Sequence, residues 1–178
     1  MKHLLHLLPQ QASSSTDYTA YENSTLGIKI EVPSDWLYQG TNNSSVMFTT
    51  EKSLAQDTSN SSTYGATVVV IVSNKPNGAS SDLDVVSQAA IEYLQQTTPS
   101  FHLISSNTTI LAGNPARQIV FTSLSYATGK DLNEGLAVWT LKNDKAYIVL
   151  YRAGPGIDKF PLQLPVAKHM IDSFQITG

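Results

Sequence analysis

The chain has no cysteine, and that single absence removes disulfides, thiolate metal sites and a cysteine nucleophile. It is also poor in charge. Asp, Glu, Lys and Arg make up 14% of its 178 residues, where about a quarter is usual, and Ser, Thr, Asn and Gln take their place. The net charge is -3 and no block of basic residues occurs. Nucleic-acid binding, which needs clustered Lys and Arg to displace counterions, therefore has no footprint here. Long apolar runs are missing too. Met1 to Leu8 reads MKHLLHLL, broken by His3 and His6, which is too short for a membrane span and weak as a signal h-region. Residues 1–17 are expected to be a flexible leader, a signal remnant or an added extension. Residues 18–178 are expected to form a single domain, since a hydrophobic content of 41% can fill one core.

The polar-neutral loops carry sequons at Asn23, Asn42, Asn43, Asn60 and Asn107. Together with the low charge, they point to an extracytoplasmic protein, secreted or associated with the cell surface.

Alternation identifies the strands. In Gly27 to Val32, the apolar Ile28, Ile30 and Val32 interleave with Lys29 and Glu31, so one face is buried and the other wet. Pro33 ends the pairing, and Trp36 is placed to cover the open end of the core. Tyr18–Glu22, Leu37–Gln39 and Val46–Thr50 read as further strands. Residues 52–64 read as a solvated loop. The β-branched run Ala66–Val72 reads as a central strand covered on both faces. A helix is expected from Ser81-Asp82-Leu83-Asp84, with the Ser81 hydroxyl at its cap, to about Thr97; its inward face is Leu83, Val86, Ala90, Tyr93 and Leu94. Strands follow at Phe101–Asn107, Thr109–Leu111, Ala116–Ser123, Leu136–Leu141 and Ala146–Tyr151. The turns between them are Ala112-Gly113-Asn114-Pro115 and Lys142-Asn143-Asp144-Lys145. Phe160 to Phe174 reads as a final amphipathic helix with Pro165 in its first turn. Strands joined by hairpin-length turns and interrupted by two helices predict an α+β fold, an antiparallel β-sheet sandwiched by helices.

No catalytic motif is found. The sequence has no Gly-x-Ser-x-Gly elbow, zinc-protease histidine pair or Walker loop. Gly154-Pro155-Gly156 opens like a dinucleotide loop, but Lys159 stands where the third glycine belongs, and a tight turn accounts for it. A hydrolase would need a site assembled from distant residues. Metal binding has a slightly better footing. His3 at a free N-terminus could wrap Cu(II) with His6 nearby, and His169 with Asp172, spaced i and i+3 on the last helix, makes half of a site for Cu, Zn, Mn or Ca. An incidental leader and a solvated helix face are the plainer readings of the two. His102 should point away from Phe101 and Leu103, toward solvent or a hydrogen-bond partner. Trp36, Trp139, Tyr147 and Tyr151 could line a groove, though alternate aromatics on strands ordinarily fill a core.

With these elements placed, the sequence resembles the PsbP family, and the PsbP-like proteins of archaea in particular. The resemblance lies in Tyr21-Glu22-Asn23, in Leu26 through Trp36, in Leu111-Ala112-Gly113-Asn114-Pro115-Ala116, in the Trp139 to Tyr151 hairpin and in Met170-Ile171-Asp172-Ser173-Phe174. It implies a PsbP-like α/β/α sandwich. It also implies the family's kind of function, which is partner binding without catalysis, as in the lumenal photosystem II subunit and a nuclear Ran-binding factor. The basic N-terminal segment of plant PsbP has no counterpart here, which argues against photosystem docking. The expectation is a non-enzymatic accessory domain that binds a protein partner or a membrane-peripheral complex. A metal-binding accessory protein is the alternative.

Overall fold

The computed structural model describes residues 15–50, 65–125 and 128–178. The expected loop at 52–64 lies outside them, as do His3 and His6. The chain is α+β, and every strand pairing is antiparallel.

The strands form two sheets, where the sequence pattern alone suggested one. A small sheet has β1 (Tyr18–Asn23) and β10 (Gln175–Ile176) on either side of β2 (Ile28–Pro33). A seven-stranded sheet runs in the order β3 (Leu37–Asn42), β4 (Ser45–Thr49), β5 (Gly65–Asn74), β9 (Lys145–Gly154), β8 (Leu132–Lys142), β7 (Asn114–Leu124) and β6 (His102–Leu111). The break falls after β2. Pro33 cannot extend the ladder, and Trp36 turns into the core at 9% exposure.

Alternation on β8 and β9 sends side chains to two separate clusters. Val138, Tyr147, Val149 and Tyr151 join Ile28, Ile30, Phe48, Val68 and Val70 from the other strands, together with Ala167, Met170, Ile171 and Phe174. The last four come from α2 (Phe160–Ser173) and its cap. Ala137, Trp139, Ile148 and Leu150 belong to the second cluster, with Ile119, Phe121 and the residues Leu83, Ala90, Ile91 and Leu94 of α1 (Leu83–Thr97). Each large apolar side chain withdrawn from water contributes about 1.5–3 kcal/mol. These clusters are where the aromatics go: Trp36, Trp139, Tyr147 and Tyr151 are all buried core residues.

Two hairpins are closed by two-residue loops in the left-handed region. Asn143 and Asp144 have φ of 51° and 58° and join β8 to β9, while Ala112 (50°) and Gly113 (75°) join β6 to β7. That is the backbone of a type I′ turn, whose twist suits the flanking strands. Gly27 is required for a different reason. At φ +67° it lets Gly178 approach, with the Gly178 Cα 3.1 Å from where a side chain would begin, and its carbonyl accepts from Thr177 N at 2.8 Å.

Several local expectations change. β5 alternates between buried and half-buried, so Val69 and Ile71 are only partly covered, not enclosed. The cap of α1 is Asp82, not Ser81. Its Oδ1 accepts from Asp84 N at 2.8 Å and Val85 N at 3.3 Å, because a carboxylate both satisfies free amides and meets the positive end of the helix. Tyr93 points outward at 65% exposure, and the inward place is taken by Ile91. β6 is one continuous strand with a register shift between Leu103 and Ser105. Pro165 lies inside α2, and Pro161 occupies the first turn.

Candidate functional site

Of the residues expected to bind metal, His169 and Asp172 lie among the described residues, and they face different surroundings. His169 on α2 reaches across to β2: its Nε2 lies 2.5 Å from Glu31 Oε2. Tyr18 of β1 stacks on the imidazole with ring centroids 3.7 Å apart and planes 18° apart. Ser173 Oγ accepts from Glu31 N at 2.9 Å. The Tyr18 phenol is held above its usual range, chiefly by partial burial and then by the Glu31 charge, while a hydrogen bond with Thr16 opposes the shift. This cluster fastens the last helix to the small sheet. Asp172, three residues on, instead lines an open cavity of about 550 Å³ with Ile110, Ala112, Ile171, Phe174 and Ile176. Among the described residues, no group of three or more His, Asp or Glu side chains stands close enough to hold a metal ion. His102 is exposed.

A second surface lies where the two sheets meet. β3 is the outer strand of the large sheet and β1 an outer strand of the small one, and their aromatics touch. The Tyr21 ring sits 5.0 Å from that of Tyr38 and 5.1 Å from that of Phe48, both edge to face. Asn23 Nδ2 donates to Tyr21 Oη at 3.0 Å and fixes its orientation. Phe48 is fully buried and lies opposite Tyr38 in the β3–β4 register. Tyr38 therefore stands on a rigid aromatic base, yet it is 65% exposed, and neighbouring Leu37 is 43% exposed. An exposed ring that is already held in place loses little conformational freedom on contact, and tyrosine offers both an apolar face and a hydroxyl. Strand β3 carries no charged residue, so its outer edge repels no incoming chain.

Sequence reasoning treated Leu37-Tyr38-Gln39 only as a strand and missed this surface. The signal was available: two large apolar residues side by side on a strand cannot both face one core. Glu31 was missed as the partner of His169 because 138 residues separate them, and no local pattern links the two.

A family profile described as PsbP-like protein matches residues 8–175. No curated protein matches the sequence. The fold is similar to that of cyanobacterial PsbP (CyanoP) from Synechocystis sp. PCC 6803, at 15% identity and a TM-score of 0.56 over 96% of this chain and 98% of that one. It is also similar to the Ran-binding protein Mog1p of Saccharomyces cerevisiae, at 12% identity and a TM-score of 0.60 over 92% and 97%. LpqN of Mycobacterium tuberculosis, described as involved in cell envelope biogenesis, matches at 15% identity and a TM-score of 0.55 over 91% of each chain.

Proposed function

The chain belongs to the PsbP-like protein family, and from that premise we propose that it is a non-catalytic accessory domain, helix-covered on both faces of its large sheet, that binds a protein partner through the Tyr38 surface. The observation that carries this reading is an aromatic ring 65% exposed on a rigid base at an uncharged sheet edge. Aromatics so placed are the usual anchors of protein interfaces. A Ran-binding protein among the structures of similar fold supports partner binding as a use of this architecture. An extracytoplasmic location is supported by the sequons, since Asn42 and Asn43 are exposed. No helix among the described residues is long and apolar enough to cross a membrane.

The test is co-purification from source-cell membranes with the wild-type chain, Tyr38→Ala and Leu37→Asp. A specific partner retained by the wild type and lost by both variants supports the proposal. A partner retained equally by all three contradicts it.

A second reading, a metal-binding accessory protein, draws on the adjacent His169 Nε2 and Glu31 Oε2. Calorimetric titration with Cu(II), Zn(II), Mn(II) and Ca(II) separates it from the first. Binding tighter than micromolar that disappears in His169→Ala would favour it, and the absence of such binding would exclude it.

A further inference from the structure

We propose that this protein self-associates edge to edge through β6, so that the large sheets of two copies run on as one antiparallel sheet across a two-fold axis at Asn107.

The sequence of this strand reads nearly the same in both directions. Around Asn107, Ser106 is matched by Thr108, Ser105 by Thr109, Ile104 by Ile110 and Leu103 by Leu111. Two antiparallel copies in register at Asn107 therefore place hydroxyl opposite hydroxyl, isoleucine opposite isoleucine and the Asn107 amide opposite itself. A two-fold interface sets each residue against the symmetry mate of its counterpart, so the two must be compatible neighbours, and here every pair from Leu103 to Leu111 is of like kind. A different partner would place no such demand on the order of residues. Like pairs of Thr and Ser, and of β-branched residues, are also favourable cross-strand neighbours.

Among the described residues, no strand pairs with the outer edge of β6. It is the last strand of the large sheet, and among the described residues its ladder partner is β7 alone. Charge and proline, the commonest protections of an edge, are missing, for His102 to Leu111 contains no Lys, Arg, Asp, Glu or Pro. Its one irregularity is at Ile104, which has no register partner in β7, and Ser105 to Leu111 is regular. Ile104 and Ile110 are 52% and 63% exposed, an apolar pair that the proposed register covers. In that register the exposed hydroxyls of Ser106 and Thr108 face one another across the axis. These residues are distinct from the Tyr38 surface, and the two proposals stand or fall separately. The contact is small, and the dimer is expected to dissociate on the order of micromolar concentrations.

The Asn107 sequon is kept unmodified by producing the chain in a host without N-glycosylation. Sedimentation equilibrium across the micromolar range then compares the wild type, Asn107→Lys, Asn107→Asp and an equimolar mixture of the two variants, each first shown to be folded by circular dichroism. The wild type should be a dimer at the upper end of the range. Each variant alone should be monomeric, since like charges meet at the axis, and the mixture should recover a dimer. Asn107→Cys gives an independent reading in this cysteine-free chain: facing positions in an antiparallel pair lie about 4.5–5.5 Å apart at Cα, within disulfide reach. Mild oxidation should therefore link two copies. A wild type that stays monomeric, a dimer that survives Asn107→Lys, or an Asn107→Cys chain that fails to cross-link would each overturn the proposal.

Discussion

Asp82 stands one residue ahead of α1 and holds two of its free amides, and no other side chain caps that end. Asp82→Ala should therefore cost about 1 kcal/mol, read as a lower denaturant midpoint at unchanged slope. Ser81→Ala should leave the midpoint nearly unaltered. Glu134 on β8 shows the opposite case, a carboxyl that the fold disfavours in its charged form. Burial raises its pKa, so the folded state holds the proton more tightly than the unfolded chain does. Its favourable contribution is present below the ordinary glutamate range and is lost as pH rises through the raised value. Glu134→Gln should accordingly stabilise the protein near neutral pH. That gain should shrink toward zero in acid, as thermal melts at the two pH values would show.

At the scale of elements, β7 and β8 meet so closely that Gly135 leaves no room for a methyl group. A Cβ there would lie 2.6 Å from Phe121 Cζ, and the Phe121 ring is 2% exposed and stacked on Phe101 at 5.3 Å. Gly135→Ala should destabilise by about 1–3 kcal/mol, detectable by chemical denaturation. Gly113→Ala is a surface control with no atom within 4 Å of the added carbon, strained only by its positive φ. Most strands and both helices were legible in the sequence, though not β10, because period-two alternation in Ile28–Val32 and helical spacing in Leu83–Leu94 are local patterns, each written within a few residues. Sheet division was not. Whether β2 continues the large sheet or begins a small one depends on β10, which pairs with it from the far end of the chain. The same holds for the Tyr38 surface, where Tyr21, Tyr38 and Phe48 come from three strands and acquire a shared face only after folding. Pro165 misled for a related reason. A proline suggests a first turn, but the buried Phe160 and the Tyr151 Oη, which donates to the Phe160 carbonyl at 2.7 Å, fix the start of α2 earlier.

At the scale of the whole molecule, the interior is filled by apolar and aromatic side chains, and the surface is largely neutral and polar. Of the chemistry left outside, the Tyr18–His169–Glu31 cluster ties α2 to β1 and β2, and the outer strands β3 and β6 each carry two exposed apolar residues, Leu37 and Tyr38 on the one and Ile104 and Ile110 on the other. Such a molecule presents edges and aromatics to other chains from a well-packed body. The most direct measurement puts a photoreactive phenylalanine analogue in place of Tyr38, irradiates the source cells and identifies what is linked. One discrete adduct with a different protein is expected, abolished when Leu37→Asp is added. A smear of unrelated proteins, or an adduct that survives Leu37→Asp, would contradict binding through the Tyr38 surface.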